Sequence, residues 1–174
     1  AFIGVYEVHP GVNAREIRMG LGWDVHRIAP GRALILGGVT IPADFGLDGH
    51  SDADILSHAI TDALLGAAAL GDIGMHFPDT DPRWKGADSA QFLVHAAALV
   101  RHAGYEIVNV DSTVILEKPK LKHYRVAIRE SLARTLGLEL DRVSVKFKTA
   151  EQVGPVGEGR SAEAQAIATI ASNG

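Results

Sequence analysis

Residues 51–70 carry the strongest periodicity in the chain. Leu56, Ala59, Ile60, Ala63, Leu64 and Ala67 recur at helical spacing, so they form one stripe that must be buried against another layer. Ser51 lies three positions before Asp54, a capping-box-like start, and Gly71 supplies the stop. The polar side of this helix is chemically loaded. Asp54, His58 and Asp62 are spaced by four and stack along one face. A histidine flanked by carboxylates is the arrangement that fixes an imidazole tautomer beside a metal. A solvated helix face with a cap has the same pattern. His50 sits just ahead of the helix, where backbone N–H groups favour anions, although a turn histidine would occupy the same place.

Around this helix the chain reads as interleaved strands and helices. Leu21, Trp23 and Val25 alternate with Gly22, Asp24 and His26, the period of a strand. Asp24 and His26 therefore leave the same face, a geometry for two ligands of one metal and equally for a polar, solvated face. Residues 32–42 predict two short strands turning at Gly37 and Gly38. The segment from Gly71 to Pro82 is dense in turn formers and acids. It suits a lid over a polar substrate and suits a plain surface loop just as well. Asp88 can cap a second helix ending at His102, with Gly104 as its stop. Residues 105–117 read as strand, broken by Pro119, and 123–136 as a third helix ended by Gly137. Val143, Val145 and Phe147 mark another strand, and 154–159 a loop. Residues 160–172 are ambiguous, since their alanines favour helix and their short length allows strand. Residues 1–18 show no period and are taken as an N-terminal extension of unknown role, leaving one domain over 19–174.

Composition narrows the function classes. A formal net charge of -4 gives no reason to expect a nucleic-acid or anionic-membrane partner. There is no cysteine, so a zinc site must use histidine and carboxylate ligands. No apolar run approaches the ~18 residues of a membrane helix. Residues 1–10 lack a basic start and a long apolar stretch, which predicts no signal peptide and a cytoplasmic location. Lys146, Lys148 and Thr149 precede Glu151 at a strand end. Lysine and a threonine hydroxyl suit phosphate, and a carboxylate suits Mg²⁺ bridging phosphates. The exposed side of an amphipathic strand would look the same.

Taken together, these stretches resemble the 2-C-methyl-D-erythritol 2,4-cyclodiphosphate synthase family, from about Met19 to the end. Three blocks carry the likeness: Gly22-Trp23-Asp24-Val25-His26; the run from Gly49-His50-Ser51-Asp52-Ala53-Asp54 through His58, Asp62 and Ala63-Leu64-Leu65-Gly66 to Gly71-Asp72-Ile73-Gly74; and Phe77-Pro78-Asp79-Thr80-Asp81-Pro82. The resemblance implies an α+β domain with a mixed β-sheet, helices packed on one face, and strand over 160–172. It implies a homotrimer with active sites between subunits, one chain giving the metals and its neighbour the cytidine pocket. It assigns Zn²⁺ to Asp24, His26 and His58, and the substrate phosphate to the neighbourhood of His50 and Ser51. The erythritol hydroxyls fall to Asp72 and Gly74, and further substrate contacts to Phe77, Asp79 and Asp81. The nucleotide pocket falls to Lys120, and phosphate to Thr149 with Lys148 beside it. A second ion, Mg²⁺ or Mn²⁺ on the substrate diphosphate, falls to Glu151. Asp54, Asp62, Thr149 and Glu151 are the candidate catalytic groups. The implied reaction is intramolecular: the 2-phosphate of a cytidine-diphosphate-linked methylerythritol attacks the β-phosphorus and CMP leaves. The chain departs from the family in having Lys148-Thr149-Ala150-Glu151 where many relatives carry a run of threonines. It also lacks an arginine before Gly157-Glu158-Gly159. A zinc hydrolase of a phosphorylated metabolite, and a trimeric metal-binding module without catalysis, are the rival readings.

Overall fold

The computed structural model describes residues 15–173. In chain order the elements are β1 (Ile17–Pro30), β2 (Leu34–Leu36), β3 (Val39–Ile41), β4 (Phe45–Leu47), α1 (Ile55–Ala67), α2 (Ile73–His76), α3 (Ala90–His102), β5 (Tyr105–Ile115), α4 (Arg125–Leu136), β6 (Val143–Lys148), α5 (Gly154–Gly157) and β7 (Ser161–Ser172). The main sheet has the order β4-β1-β7-β5-β6. β5 and β6 run parallel and the other neighbours antiparallel, so the sheet is mixed. The parallel pair is joined through α4, as a crossover connection requires. β2 and β3 form a separate hairpin whose turn is Gly37 and Gly38, at φ 59° and 76°. Both values lie where a side chain is strained, and two consecutive glycines meet that demand.

Helix α1 is the centre of the core. Ile55, Leu56, Ala59, Ile60, Ala63, Leu64 and Leu65 are all fully buried. Its floor is made of small residues. Ala162, Ala164, Ala166 and Ala168 of β7 face it, paired in register with His26, Asp24, Gly22 and Gly20 of β1. A Cβ on Gly22 would lie 1.8 Å from the carbonyl oxygen of Ala59, and one on Gly20 2.0 Å from that of Ala63. The helix backbone therefore rests directly on the strand backbone. Strand β5 keeps its own buried side through a bulge between Ile107 and Asn109, after which Val110, Ser112 and Val114 take over.

Several expectations move. β1 already pairs at Ile17 and Arg18, opposite Ala171 and Ile170, so those two residues belong to the domain. Residues 1–14 of the expected extension lie outside the described residues. The cap of α1 is Asp54, which accepts from Ser57 N–H, and Ser51 instead accepts from Ala53 N–H. The alanine-rich segment 160–172 is strand, as the family resemblance implied. The 154–159 loop contains the single helical turn of α5.

Gly22→Ala is expected to destabilise the protein by about 1–3 kcal/mol or more, because the new methyl meets helix backbone that cannot rotate away. Urea unfolding measures it. An unchanged midpoint would show that α1 can lift off β1 at no cost.

Candidate metal centre

Because β1 alternates faces, Asp24 and His26 both point to the side that α1 covers, and the start of α1 brings His58 to them. His58 Nδ1 lies 2.9 Å and His26 Nε2 3.0 Å from the same oxygen, Asp24 Oδ2. One ligand atom from each residue falls within 4.8 Å of the others, and no other His/Asp/Glu trio among the described residues gathers this closely. The imidazole of His26 is oriented from behind. Its Nδ1 meets the carbonyl oxygen of Asp48. A carbonyl only accepts, so Nδ1 carries the hydrogen and the Nε2 lone pair faces Asp24. A lone pair aimed at a carboxylate oxygen is repulsive until a proton or a metal cation sits between them. Two imidazoles and one carboxylate are a donor set that suits zinc, and three protein ligands are the number that a catalytic zinc uses.

The same convergence shows in the titration of the site. Burial alone would raise the Asp24 carboxyl, but hydrogen bonds and charge from His26 and His58 hold it well below the usual carboxylate range. Burial opposes protonation of His26, yet Asp24 and the Asp48 carbonyl outweigh it and raise its pKa.

Beside the trio opens a cleft of about 490 Å³. His50, Ser51, Gly74, Phe77 and Asp79, all singled out in the sequence, line it. Trp84 and Phe92 complete its wall. Phe77 stacks 4.4 Å from Phe92 and edge-on to Trp84 at 5.1 Å. The 77–85 segment is therefore held by two aromatic anchors, which its Pro and Asp content hides. Asp81 turns to Arg83, and its carbonyl lies 3.3 Å from His50 Nε2. Asp72 caps α2 by accepting from Met75 N–H. A second cavity, about 330 Å³, is lined by Lys120, Lys148 and Thr149 with Phe147 and Arg125. It shares no lining residue with the first.

Two of the candidate catalytic acids bond to backbone. Asp54 does not flank His58. Its buried carboxylate accepts from the N–H groups of Gly37, Gly38 and Ser57 and from the Ser57 hydroxyl. Two of these bonds tie α1 to the β2–β3 turn and two close the first turn of α1, so the carboxylate is taken up in seating the helix. Burial pushes its carboxyl up while those donors pull the other way. Asp62 also serves elsewhere: it accepts from Ile73 N–H at 2.7 Å and so joins α1 to α2 at the cleft rim. Burial, with Asp72 and Asp24 nearby, raises its pKa. Glu151 stands apart from the trio and lines neither cavity. Thr149 donates to it at 2.8 Å, and its backbone is left-handed at φ 52°. Sequence reasoning missed Arg32, which clamps the 48–51 turn through the carbonyls of Gly49 and Ser51, and it missed Ser89 and Asp52 behind His58. Backbone carbonyls and buried serines leave no spacing signal to find.

Fold and site together define an α+β domain with a candidate metal-binding trio beside a cleft. The YgbB family matches residues 17–171. A protein of Solibacter usitatus (strain Ellin6076) named 2-C-methyl-D-erythritol 2,4-cyclodiphosphate synthase is 76% identical over 155 residues, 89% of this chain and 98% of that one. A solved structure of 2C-methyl-D-erythritol-2,4-cyclodiphosphate synthase in a CDP-bound form aligns with a TM-score of 0.80 at 43% identity, covering 87% of this chain and 98% of that one. The bifunctional IspDF of Campylobacter jejuni aligns with a TM-score of 0.89 at 41% identity, over 92% of this chain and 43% of that longer one. The chain belongs to the YgbB family, whose relatives here are cyclodiphosphate synthases.

Protons and metal compete for the His26 and Asp24 lone pairs. The raised pKa of His26 means the proton is held below that pKa and released above it. The rise in melting temperature on adding Zn²⁺ should therefore be larger at about pH 8 than at about pH 6. Equal shifts at both pH values would argue that the trio does not bind the ion. Asp54→Ala should cost about 1–3 kcal/mol through its orphaned donors. A calorimetric change below that range would mean the Gly37–Gly38 turn does not depend on the carboxylate.

Proposed function

We propose that this chain converts 4-diphosphocytidyl-2-C-methyl-D-erythritol 2-phosphate to 2-C-methyl-D-erythritol 2,4-cyclodiphosphate and CMP, in non-mevalonate isoprenoid precursor synthesis. The observation that carries the proposal is the convergence of Asp24, His26 and His58 on one point at the edge of the cleft, in a chain 76% identical to a protein of that name. The substrate brings its own nucleophile. An oxygen of the 2-phosphate attacks the β-phosphorus, the bond from that phosphorus to the bridging oxygen breaks, and CMP departs with the oxygen. No serine or cysteine nucleophile is required, which agrees with a chain lacking cysteine. The task left to the protein is positioning and charge neutralisation.

The residues divide that task. Asp24 Oδ2, His26 Nε2 and His58 Nδ1 would hold Zn²⁺, which when bound supplies Lewis-acid polarisation of a phosphate oxygen. His50 and Ser51 line the same cleft and offer hydrogen bonds to phosphate. Gly74, with Asp72 beside it, is available to the erythritol hydroxyls, and Phe77 and Trp84 exclude water from that end. Lys120, Lys148 and Thr149 suit the nucleotide and its diphosphate. Glu151, oriented by Thr149, is the oxygen ligand for Mg²⁺ or Mn²⁺ on that diphosphate.

The separation of the two cavities favours a homotrimer in which one chain's metal cleft meets its neighbour's lysine cavity. The outer face of β1 supports this. Ile17, Met19, Leu21 and Trp23 are 67%, 73%, 70% and 52% exposed, and Ile167 of β7 beside them 46%. A contiguous apolar stripe of this kind marks an interaction surface. Among the described residues no helix is long and apolar enough to cross a membrane.

Incubation with the cytidine diphosphate substrate, Zn²⁺ and Mg²⁺, followed by mass analysis, should yield CMP and the cyclic diphosphate. Release of the unclosed methylerythritol phosphates would point to a hydrolase, and no turnover with metal bound to a binding module. His58→Ala should stay folded by circular dichroism, lose most of its zinc and lose nearly all CMP release; stoichiometric zinc in the folded variant would remove His58 from the ligands. Glu151→Gln should lower turnover on the order of a hundredfold while keeping the zinc, and loss of zinc there would contradict the division of roles. Light scattering should give a trimer; a stable monomer with full activity rules out a shared site.

A further inference from the structure

Ser89 occupies the N-cap position of α3, yet its side chain makes no capping bond to the helix. Asp88 takes that duty by accepting from Ala90 N–H. The Ser89 hydroxyl is fully buried and turned the other way, against His58 Nε2 at 2.8 Å and against the carboxylate of Asp52. A serine at a helix start that gives up the cap has been recruited for something else.

The direction of the hydrogens follows from Asp52. Its two oxygens receive the Ser89 hydroxyl, Ser89 N–H at 3.0 Å and Asp54 N–H at 3.2 Å. A carboxylate only accepts, so the single hydroxyl hydrogen of Ser89 goes to Asp52. Ser89 Oγ is then left with lone pairs only and must accept from His58 Nε2–H. The Nε2 hydrogen is thereby kept directed at Ser89, and Nδ1, 2.9 Å from Asp24 Oδ2, is left as the nitrogen that gives up its proton and offers its lone pair when the metal binds. We propose that Asp52 and Ser89 are positioning residues that lock His58 in the Nε2–H tautomer and so hold its Nδ1 lone pair ready for the ion. Their role mirrors that of the Asp48 carbonyl behind His26. It differs in being relayed through a side chain that begins α3, so the ligand from α1 is set by the helix packed beside it. Ser51 Oγ lies farther from the same nitrogen, at 3.2 Å against 2.8 Å for Ser89, and is the weaker partner.

The inference rests on the metal-centre reading, and the test separates the two. The full chain is stripped of metal and titrated with Co²⁺ alone in competition with a chelator, and the visible spectrum of the bound ion is recorded. Wild-type protein should bind Co²⁺ with a tetrahedral spectrum; failure to bind would remove the metal centre itself, and this proposal with it. Ser89→Ala should weaken Co²⁺ binding about 10- to 100-fold and alter the spectrum. Asp52→Asn should act in the same direction, since its amide N–H₂ must face one of the hydrogens that Asp52 now receives. Imidazole-nitrogen spectra of the isotope-labelled, metal-free protein should show His58 moving from the Nε2–H towards the Nδ1–H tautomer in both variants. Folded variants with wild-type Co²⁺ affinity and an unmoved tautomer overturn the proposal. A loss of affinity matched by an equal loss of stability in the metal-free chain overturns it too, because the pair would then be only a structural tie.

Discussion

Helix α1 can deliver His58 to Asp24 and His26 only because the strand beneath it has no side chains at Gly20 and Gly22. Any larger residue there would lift the helix, and the ligand it carries, away from the two ligands on β1. The alanines of β7 extend the same low floor. The meeting of Asp24, His26 and His58 is thus a consequence of packing rather than an addition to it. The helix is seated laterally by Asp54, whose carboxylate binds the Gly37–Gly38 turn, and at its far end by Asp62, which receives Ile73 N–H. The two acids four residues before and after His58 are therefore spent on seating the helix that carries it.

That outcome explains which parts of the site were legible. The spacing of Asp54, His58 and Asp62 reported a shared helix, but spacing cannot tell an acid that faces a ligand from one that caps the helix and faces a backbone turn. The strand pair Asp24 and His26 was readable because the period of two is unforgiving: residues two apart must share a side. The alanine-rich segment 160–172 carried the same information in a muted form. Ala162, Ala164, Ala166 and Ala168 alternate with Glu163, Gln165, Ile167 and Thr169, and helix propensity obscured it. Its buried face is small because α1 needs the room, a tertiary demand that no local preference records. Ser89 was invisible for a different reason, since its contact with His58 joins residues far apart in the chain.

The aromatic wall of the cleft shows a further limit of composition. Residues 77–85 read as a polar, proline-rich loop, yet Phe77 and Trp84 close on Phe92 of α3. Backbone bonds from Gly86 N–H to the His50 carbonyl and from Asp52 N–H to the Ala87 carbonyl tie the end of this loop to the turn that carries His50 and Ser51. The loop, the turn and the start of α3 are one packed unit behind the trio. Ser89 and Asp52 are the point at which that unit touches His58.

Strand β1 also couples the metal centre to the opposite face of the sheet. Gly20, Gly22, Asp24 and His26 face α1, while Met19, Leu21, Trp23 and Val25 face away and are exposed. Side chains in an unbulged strand such as β1 alternate, so a slip of one residue in the pairing with β7 would exchange the two sets. Trp23 would then be driven into the helix backbone and the ligands would leave the cleft. The apolar residues that define the outer surface and the polar residues that define the site are thus fixed by one register, Gly22 opposite Ala166 and Asp24 opposite Ala164. The strand can hold that register because the inward positions 20 and 22 leave no room for a Cβ beneath α1. The exposed stripe is, on this argument, the necessary reverse side of a strand built to bring Asp24 and His26 under a helix.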